Sequence, residues 1–324
     1  MDVERLFRVK AGSQQVRIHR ILMIGMASGV WFAMLSRVAA QDMPLTQVLM
    51  EGEGWKMVSE GHRFTDGLTT DRDGNLYFSD VAGGTTINRI EHDGKLSVVA
   101  EDAPRISGMH FGPDGRIYAC QGGAYGRIVA FDLQAGAREV IAENVKPNDL
   151  VVTRDGHIFF TETAKMQVSH IAPGGKVQAA DVATKTEGPQ RPNGIALTPD
   201  QGTLAVSDYG GRYTWVWRLE KDAGLSFRQP YITLRTPTAD LPSKGDGMTT
   251  DAVGRYYVTS AVGIQMFDPT GRMGGVIAAP TDQPIVSVAF AGPGHSYLYV
   301  AAGDRIFRRK TKTSGIASAS KTRN

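Results

Sequence analysis

From Phe64 to Asp80 the chain reads FTDGLTTDRDGNLYFSD: a polar pair (Asp66, Gly67), a short apolar run, a turn at Asp73-Gly74-Asn75, and a second apolar run closing on Ser79 and Asp80. Two β-rich runs around an Asp-Gly turn predict a hairpin, because that dipeptide tolerates the positive φ of a tight turn. The unit recurs as GPDGRIYACQ (112–121), TRDGHIFFTE (153–162), TPDQGTLAVSD (198–208), DAVGRYYVTS (251–260) and AGPGHSYLYVAA (291–302), making six copies. The turn glycines Gly74, Gly115, Gly156, Gly202, Gly254 and Gly294 repeat at about forty to fifty residues, the length of a four-stranded propeller blade. The pattern predicts an all-β, six-bladed β-propeller. A β-helix needs a shorter repeat, and leucine-rich repeats need leucine and asparagine at offsets this chain lacks. Blades are expected near 64–101, 104–144, 146–185, 190–236, 244–280 and 283–310. Thr46–Met50 and Trp55–Val58 precede the first copy. They are expected to supply a strand to the sixth blade, which would remove an exposed sheet edge.

The same repeat sets a chemical phase. Eight residues before the turn glycine stand Asp66, Ser107, Asn148, Asp246 and Val286; the longer turn at Gly202 puts Asn193 nine residues before it. Five of the six positions therefore carry side-chain oxygen, each just ahead of an apolar run. The first strand of a blade lines the central channel, so these positions are expected to form a ring about the axis. Asp66, Asn148, Asn193 and Asp246 would then offer two carboxylates and two amide oxygens to one point, a hard donor set suited to Ca²⁺, Mg²⁺ or Mn²⁺ more than to zinc. The six histidines after residue 40 show no paired zinc spacing. Taken singly, Asp-Gly, Asn-Asp and Asn-Gly read as ordinary turns. Their return in one phase makes a shared site the stronger reading.

Charge and composition add limits. The formal net charge is +3, of which residues 1–40 hold +4 and residues 308–324 hold +6, leaving −7 for residues 41–307. An acidic body argues against nucleic acid and suits a bound cation. The single cysteine, Cys120, sits in an apolar run and reads as a small core residue. A basic start, a fifteen-residue apolar run from Ile21 to Leu35 and small residues Val38 and Ala40 predict a secretory signal cut before Gln41. The run is short for a membrane span, so no stable membrane insertion is expected after cleavage, and the mature protein is expected in the periplasm or outside the cell. An uncleaved anchor is the competing reading. Residues 41–310 are assigned to the propeller and 311–324 to a basic disordered tail.

Four stretches resemble the gluconolactonase/regucalcin family of six-bladed propeller lactonases: FTDGLTTDRDGNLYFSD (64–80), PNDLVVTRDGHIFFTE (147–162), RPNGIALTPDQGTLAVSD (191–208) and GDGMTTDAVGRYYV (245–258). The resemblance covers about residues 55–312. It implies a divalent metal on the axis, Ca²⁺ ahead of Mg²⁺, Mn²⁺ or Zn²⁺, with Asn193 and Asp246 as ligands and Asn148 facing metal or substrate. At Asp66 the chain has TDGL where the family pattern is TEGP, a carboxylate one methylene shorter, and Glu60 is a weaker substitute. The implied activity is opening of a sugar-type lactone to a sugar acid, with Asp246 as general base and Asn148 orienting the substrate. No G-x-S-x-G elbow is present, so no covalent nucleophile is called for. Ser107, in the ring phase, and Tyr125, Arg127, Arg212 and Tyr213, after strand ends, are candidate substrate contacts. The alternative is a propeller that binds a ligand or calcium without turnover. A strictosidine-synthase-like condensation would need a channel glutamate, and none stands out.

Overall fold

The computed structural model describes residues 44–317. The predicted leader with its cleavage point, and residues 318–324, lie outside the described residues. The strands form six antiparallel four-stranded sheets. Blade one is Thr65–Thr70, Leu76–Asp80, Ile87–Ile90 and Leu96–Ala100; blade two is Ile106–Phe111, Ile117–Gln121, Arg127–Asp132 and Ala137–Glu143. Blade three is Leu150–Val152, Ile158–Glu162, Gln167–Ile171 and Val177–Val182; blade four is Pro192–Leu197, Thr203–Asp208, Tyr213–Leu219 and Leu225–Thr233. Blade five is Met248–Thr250, Tyr256–Ser260, Gly263–Phe267 and Met273–Ile277. Blade six joins Ile285–Ala291, Tyr297–Ala302 and Arg305–Lys310 to the early strand Lys56–Ser59, which pairs with Arg305–Lys310 as its outer edge.

Sheets are two-faced, and each blade buries both faces against its neighbours. Six apolar clusters accordingly fill the six seams. Trp217, almost fully buried, packs with Val151, Phe159 and Leu204 between blades three and four, and Trp215 leans on the same cluster. Cys120 is fully buried between blades two and three, as its apolar setting predicts.

The hairpin turns work by side-chain capping. Asp71 Oδ1 accepts the backbone N–H groups of Asp73 and Asn75, Tyr77 donates to Asp71 Oδ2, and Gly74 takes φ 84°. Asp251 repeats the device in blade five, accepting from Val253 N, Arg255 N, Arg255 Nη1 and Tyr257 Oη.

The assignment of residues 311–324 to a disordered tail needs correction over its first half. Thr311–Ala317 is held at the turn end of the channel. Lys312 N donates to Val48 O, Ala252 N to Ser314 O, Gly315 N to His295 O, and Thr313 Oγ1 to Asp251 Oδ2. Its polar composition suggested disorder, but backbone hydrogen bonds do most of the anchoring, and composition does not report those.

Candidate functional site

Four of the six inner strands are irregular where they enter the sheet. Register shifts fall between Asp66 and Thr69, Ile106 and Met109, Pro192 and Ile195, and Ile285 and Ser287. Such bulges re-aim side chains and are common beside active sites. Here they fall on or beside the ring positions Asp66, Ser107, Asn193 and Val286, while blades three and five carry no such shift. Asp66, Asn148, Asn193, Asp246 and Val286 all line one axial cavity of about 190 Å³.

The backbone carbonyls of this ring are taken by neighbours. Ser107 Oγ and Gly108 N donate to Asn148 O (2.6 and 3.0 Å), Thr161 Oγ1 to Asn193 O (2.6 Å), and Ser207 Oγ to Asp246 O (2.7 Å). The ring is thereby fixed through its main chain, and the side chains stay free. Among the described residues, neither Asn148 nor Asn193 spends its side-chain amide on a hydrogen bond, and Asp66 accepts only the N–H of Gly67 (2.7 Å).

The residue after each ring position explains how the blades come so close. It is glycine in four blades: Gly67, Gly108, Gly194 and Gly247. A Cβ there would collide with Ser107 O, the Asp149 carboxylate, Asp246 O and Val286 O respectively. In the other two blades the position holds Ser287 and Asp149, and each reaches across a seam. Ser287 Oγ accepts Leu68 N (3.0 Å), and Asp149 Oδ2 accepts Ile195 N (3.2 Å) while its Oδ1 accepts Leu150 N (2.8 Å).

Asp149 thus joins Asp66 and Asp246 as a third carboxylate of the cavity. Sequence reading passed over it. The signal was available: an acid stands where the repeat otherwise keeps glycine or serine. Burial pushes Asp66 up to about 6. Burial, then the charge of Asp66, pushes Asp149 up to about 7. Asp246 is raised well above the ordinary carboxylate range by burial, then by Asp66 and Asp149. No lysine, arginine or histidine among the described residues forms an ion pair with any of the three. His110 also lines the cavity, and burial lowers it to about 4, so it is neutral at pH 7.

Desolvated, mutually repelling carboxylates without a cation, beside two unused amides, fit a hard divalent ion. Among the described residues no group of three His, Cys, Asp or Glu side chains is placed to hold a metal, so amide oxygens and water would have to complete such a site.

The remaining candidates lie elsewhere. The Ser107 hydroxyl is committed to Asn148 O. Tyr125, Arg127, Arg212 and Tyr213 sit at the ring end of the molecule but do not line the cavity. Arg127 pairs with Glu143 (3.4 Å), and Tyr213 meets Trp215 edge-on. Glu60 is exposed beside the outer strand of blade six, also away from the cavity. Asp80, Glu162 and Asp208, which end the second strands, hold linkers instead. Asp80 accepts Arg63 N and Phe64 N, Glu162 accepts Lys146 N, and Asp208 accepts Gln190 N and Arg191 N.

The region described as SMP-30/Gluconolactonase/LRE-like matches residues 64–304. The chain belongs to this family. A gluconolactonase of Zymomonas mobilis is 30% identical over 243 residues, covering 65% of this chain and 65% of that protein. The match therefore falls just short of two thirds of the relative's length. Among solved structures, a gluconolactonase from Xanthomonas campestris superposes with TM-score 0.70 at 22% identity, covering 82% of this chain and 92% of that one. A calcium-binding regucalcin from Agrobacterium tumefaciens superposes with TM-score 0.68 at 17% identity, covering 83% and 97%. A streptogramin B lyase shares the fold at TM-score 0.59 and 14% identity, covering 80% and 98%, so the architecture alone does not settle the chemistry.

Proposed function

We propose that the protein hydrolyses a small-molecule lactone at the ring end of its axial cavity. The carrying observation is the set of three desolvated, unpaired carboxylates beside two free amides on one axis. Family membership and the gluconolactonase relative support the same reading.

A divalent ion, calcium in the first instance, held by Asp66, Asn193 and Asp246 with Asn148 beside it, would supply polarisation of the lactone carbonyl and a lowered pKa for water. The chain's own residues do the rest. Asn148 donates or accepts at the substrate and fixes its orientation. Asp246 takes the proton of the attacking water as the new C–O bond forms, and returns it to the ring oxygen as the ester bond breaks. The product is a hydroxy acid. Asp149 keeps the entries of blades three and four in register, so that Asn148 and Asn193 present their amides together. The repelling carboxylates near the axis favour release of the acidic product.

The test is hydrolysis of aldonolactones by the purified protein after chelation, and again with Ca²⁺, Mg²⁺, Mn²⁺ or Zn²⁺ restored. Activity is expected to vanish on chelation and return with one ion. Failure to open any sugar or acyl lactone with every ion overturns the reading. The same proposal places a mature chain starting at Gln41 in the periplasm or medium, which N-terminal sequencing of the exported protein checks.

A further inference from the structure

The linkers that lead into the inner strands carry a second repeat. Three residues ahead of Asp66 stands Arg63; two residues ahead of Ser107, Asn148, Asn193 and Asp246 stand Arg105, Lys146, Arg191 and Lys244. Five of the six blades thus carry a long cation in or beside the linker that enters the inner strand, at the ring end of the molecule and outside the cavity lining. All five are exposed, and among the described residues none is engaged in an ion pair. The acids that end the second strands, Asp80, Glu162 and Asp208, accept the backbone N–H groups of Arg63, Lys146 and Arg191. Arg63, Arg105 and Arg191 lie against Gly83, Gly123 and Gly210, in the adjoining second-to-third-strand loops.

Two of these positions are costly to fill with a side chain. Arg105 has φ 59° and Lys244 φ 53°, the left-handed region where glycine or asparagine sits more easily. Arg191 stacks its guanidinium over Tyr209 at 4.9 Å, which holds it in place without neutralising it. Blade six departs from the pattern at both levels, with Val286 in the ring and Gln283-Pro284 ahead of it.

The charge balance gives this crown its meaning. The body of the chain is acidic, and three carboxylates surround the axis. A neutral lactone needs no cations at the mouth, whereas an anionic one is repelled by the acids below. Unpaired cations at the ring end would oppose that repulsion, and electrostatic focusing of this kind raises encounter rates of charged ligands by about ten- to a thousandfold. We propose that Arg63, Arg105, Lys146, Arg191 and Lys244 form an anion-reading crown, and that the preferred substrate is a lactone bearing a second, negatively charged group, a phosphate or a carboxylate. This rests on the lactone reading above and narrows its substrate class.

The experiment compares kcat/KM for glucono-δ-lactone, its 6-phosphate and a glucaric acid lactone, in the wild type and in a variant carrying Arg63→Gln, Arg105→Gln, Lys146→Gln, Arg191→Gln and Lys244→Gln. The wild type is expected to prefer one of the charged lactones, and the preferred one identifies phosphate or carboxylate. In the variant the charged-to-neutral ratio should fall at least tenfold, mainly through KM, with the thermal midpoint retained. Raising salt should erode the wild-type preference in the same direction. An unchanged ratio, or a wild type that favours the neutral lactone, overturns the crown while leaving the lactonase reading intact. If no lactone is opened at all, calorimetric titration with 6-phosphogluconate and with glucarate decides. Binding of either that is lost in the variant upholds the crown without the hydrolase, and binding of neither, or equal binding in both proteins, removes it.

Discussion

The two ends of the channel put the same residue type to opposite uses. At the turn end, Asp251 is fully buried and saturated: two backbone N–H groups, Arg255, Tyr257 and Thr313 all donate to it. At the ring end, Asp66, Asp149 and Asp246 are only partly buried, lining the cavity, yet none has a charged partner. A buried carboxylate with its full set of donors holds structure together, whereas one denied them is destabilising and persists only because the surrounding main chain over-determines its place. The contrast teaches where to look for chemistry in a fold made of near-identical repeats: at the position whose bonding is incomplete.

Three changes would break or sharpen this contrast. The largest effect is expected from Asp246→Asn at the ring end. Lactone hydrolysis should fall by about a hundred- to ten-thousandfold, while the thermal midpoint of the metal-free protein stays level or rises, since a repelled charge is removed. Steady-state kinetics alongside a thermal melt measures both, and a collapsed melt would mean that Asp246 belongs with the structural acids.

Next in size, Asp251→Ala at the turn end should cost about 3 kcal/mol, because it strands the Arg255 guanidinium, the Tyr257 hydroxyl and two backbone donors. Denaturant titration reads the loss. Activity per folded molecule should hold to within about twofold, and a variant as stable as wild type would dissolve the distinction between the two ends.

The smallest effect is a pH dependence. Unfolded aspartates ionise near 4, but Asp66 and Asp149 in the fold ionise near 6 and 7. The folded state therefore binds their protons more tightly, so their stabilising contribution is full below about pH 4 and is lost as pH rises through about 6 to 7. The thermal midpoint of chelated wild type, compared with chelated Asp149→Asn, should decline more steeply between pH 4 and pH 8, by about 5 °C. Added calcium should flatten the wild-type slope. Parallel curves would show that Asp149 is ionised in the fold from the outset.

Much of this was legible in the chain. Turn glycines such as Gly74 and Gly156 located the blades, and counting back from them brought Asp66, Asn148, Asn193 and Asp246 to one cavity. Counting worked because a closed ring of sheets converts sequence phase into angular position at a fixed height. Asp149 escaped because attention to one phase hid the next, where glycine is the rule and an acid the exception. Tyr125, Arg127, Arg212 and Tyr213 were aimed at the channel, although their loops lie over second-to-third strand connections whose direction depends on tertiary contacts. The ordered stretch from Thr311 to Ala317 was missed because its backbone bonds to Val48, Ala252 and His295 leave no trace in local composition.

The pairing of Lys56–Ser59 with Arg305–Lys310 has a consequence for how the chain comes into being. Its two partners flank the other five blades, so a growing polypeptide has no circle to close until the sixth blade has been made. Until then the first strand is a loose end, and the newest sheet shows a bare flank to its surroundings. Any damage to either of these strands should surface first as clumping in the nascent protein, well before a slower enzyme is noticed.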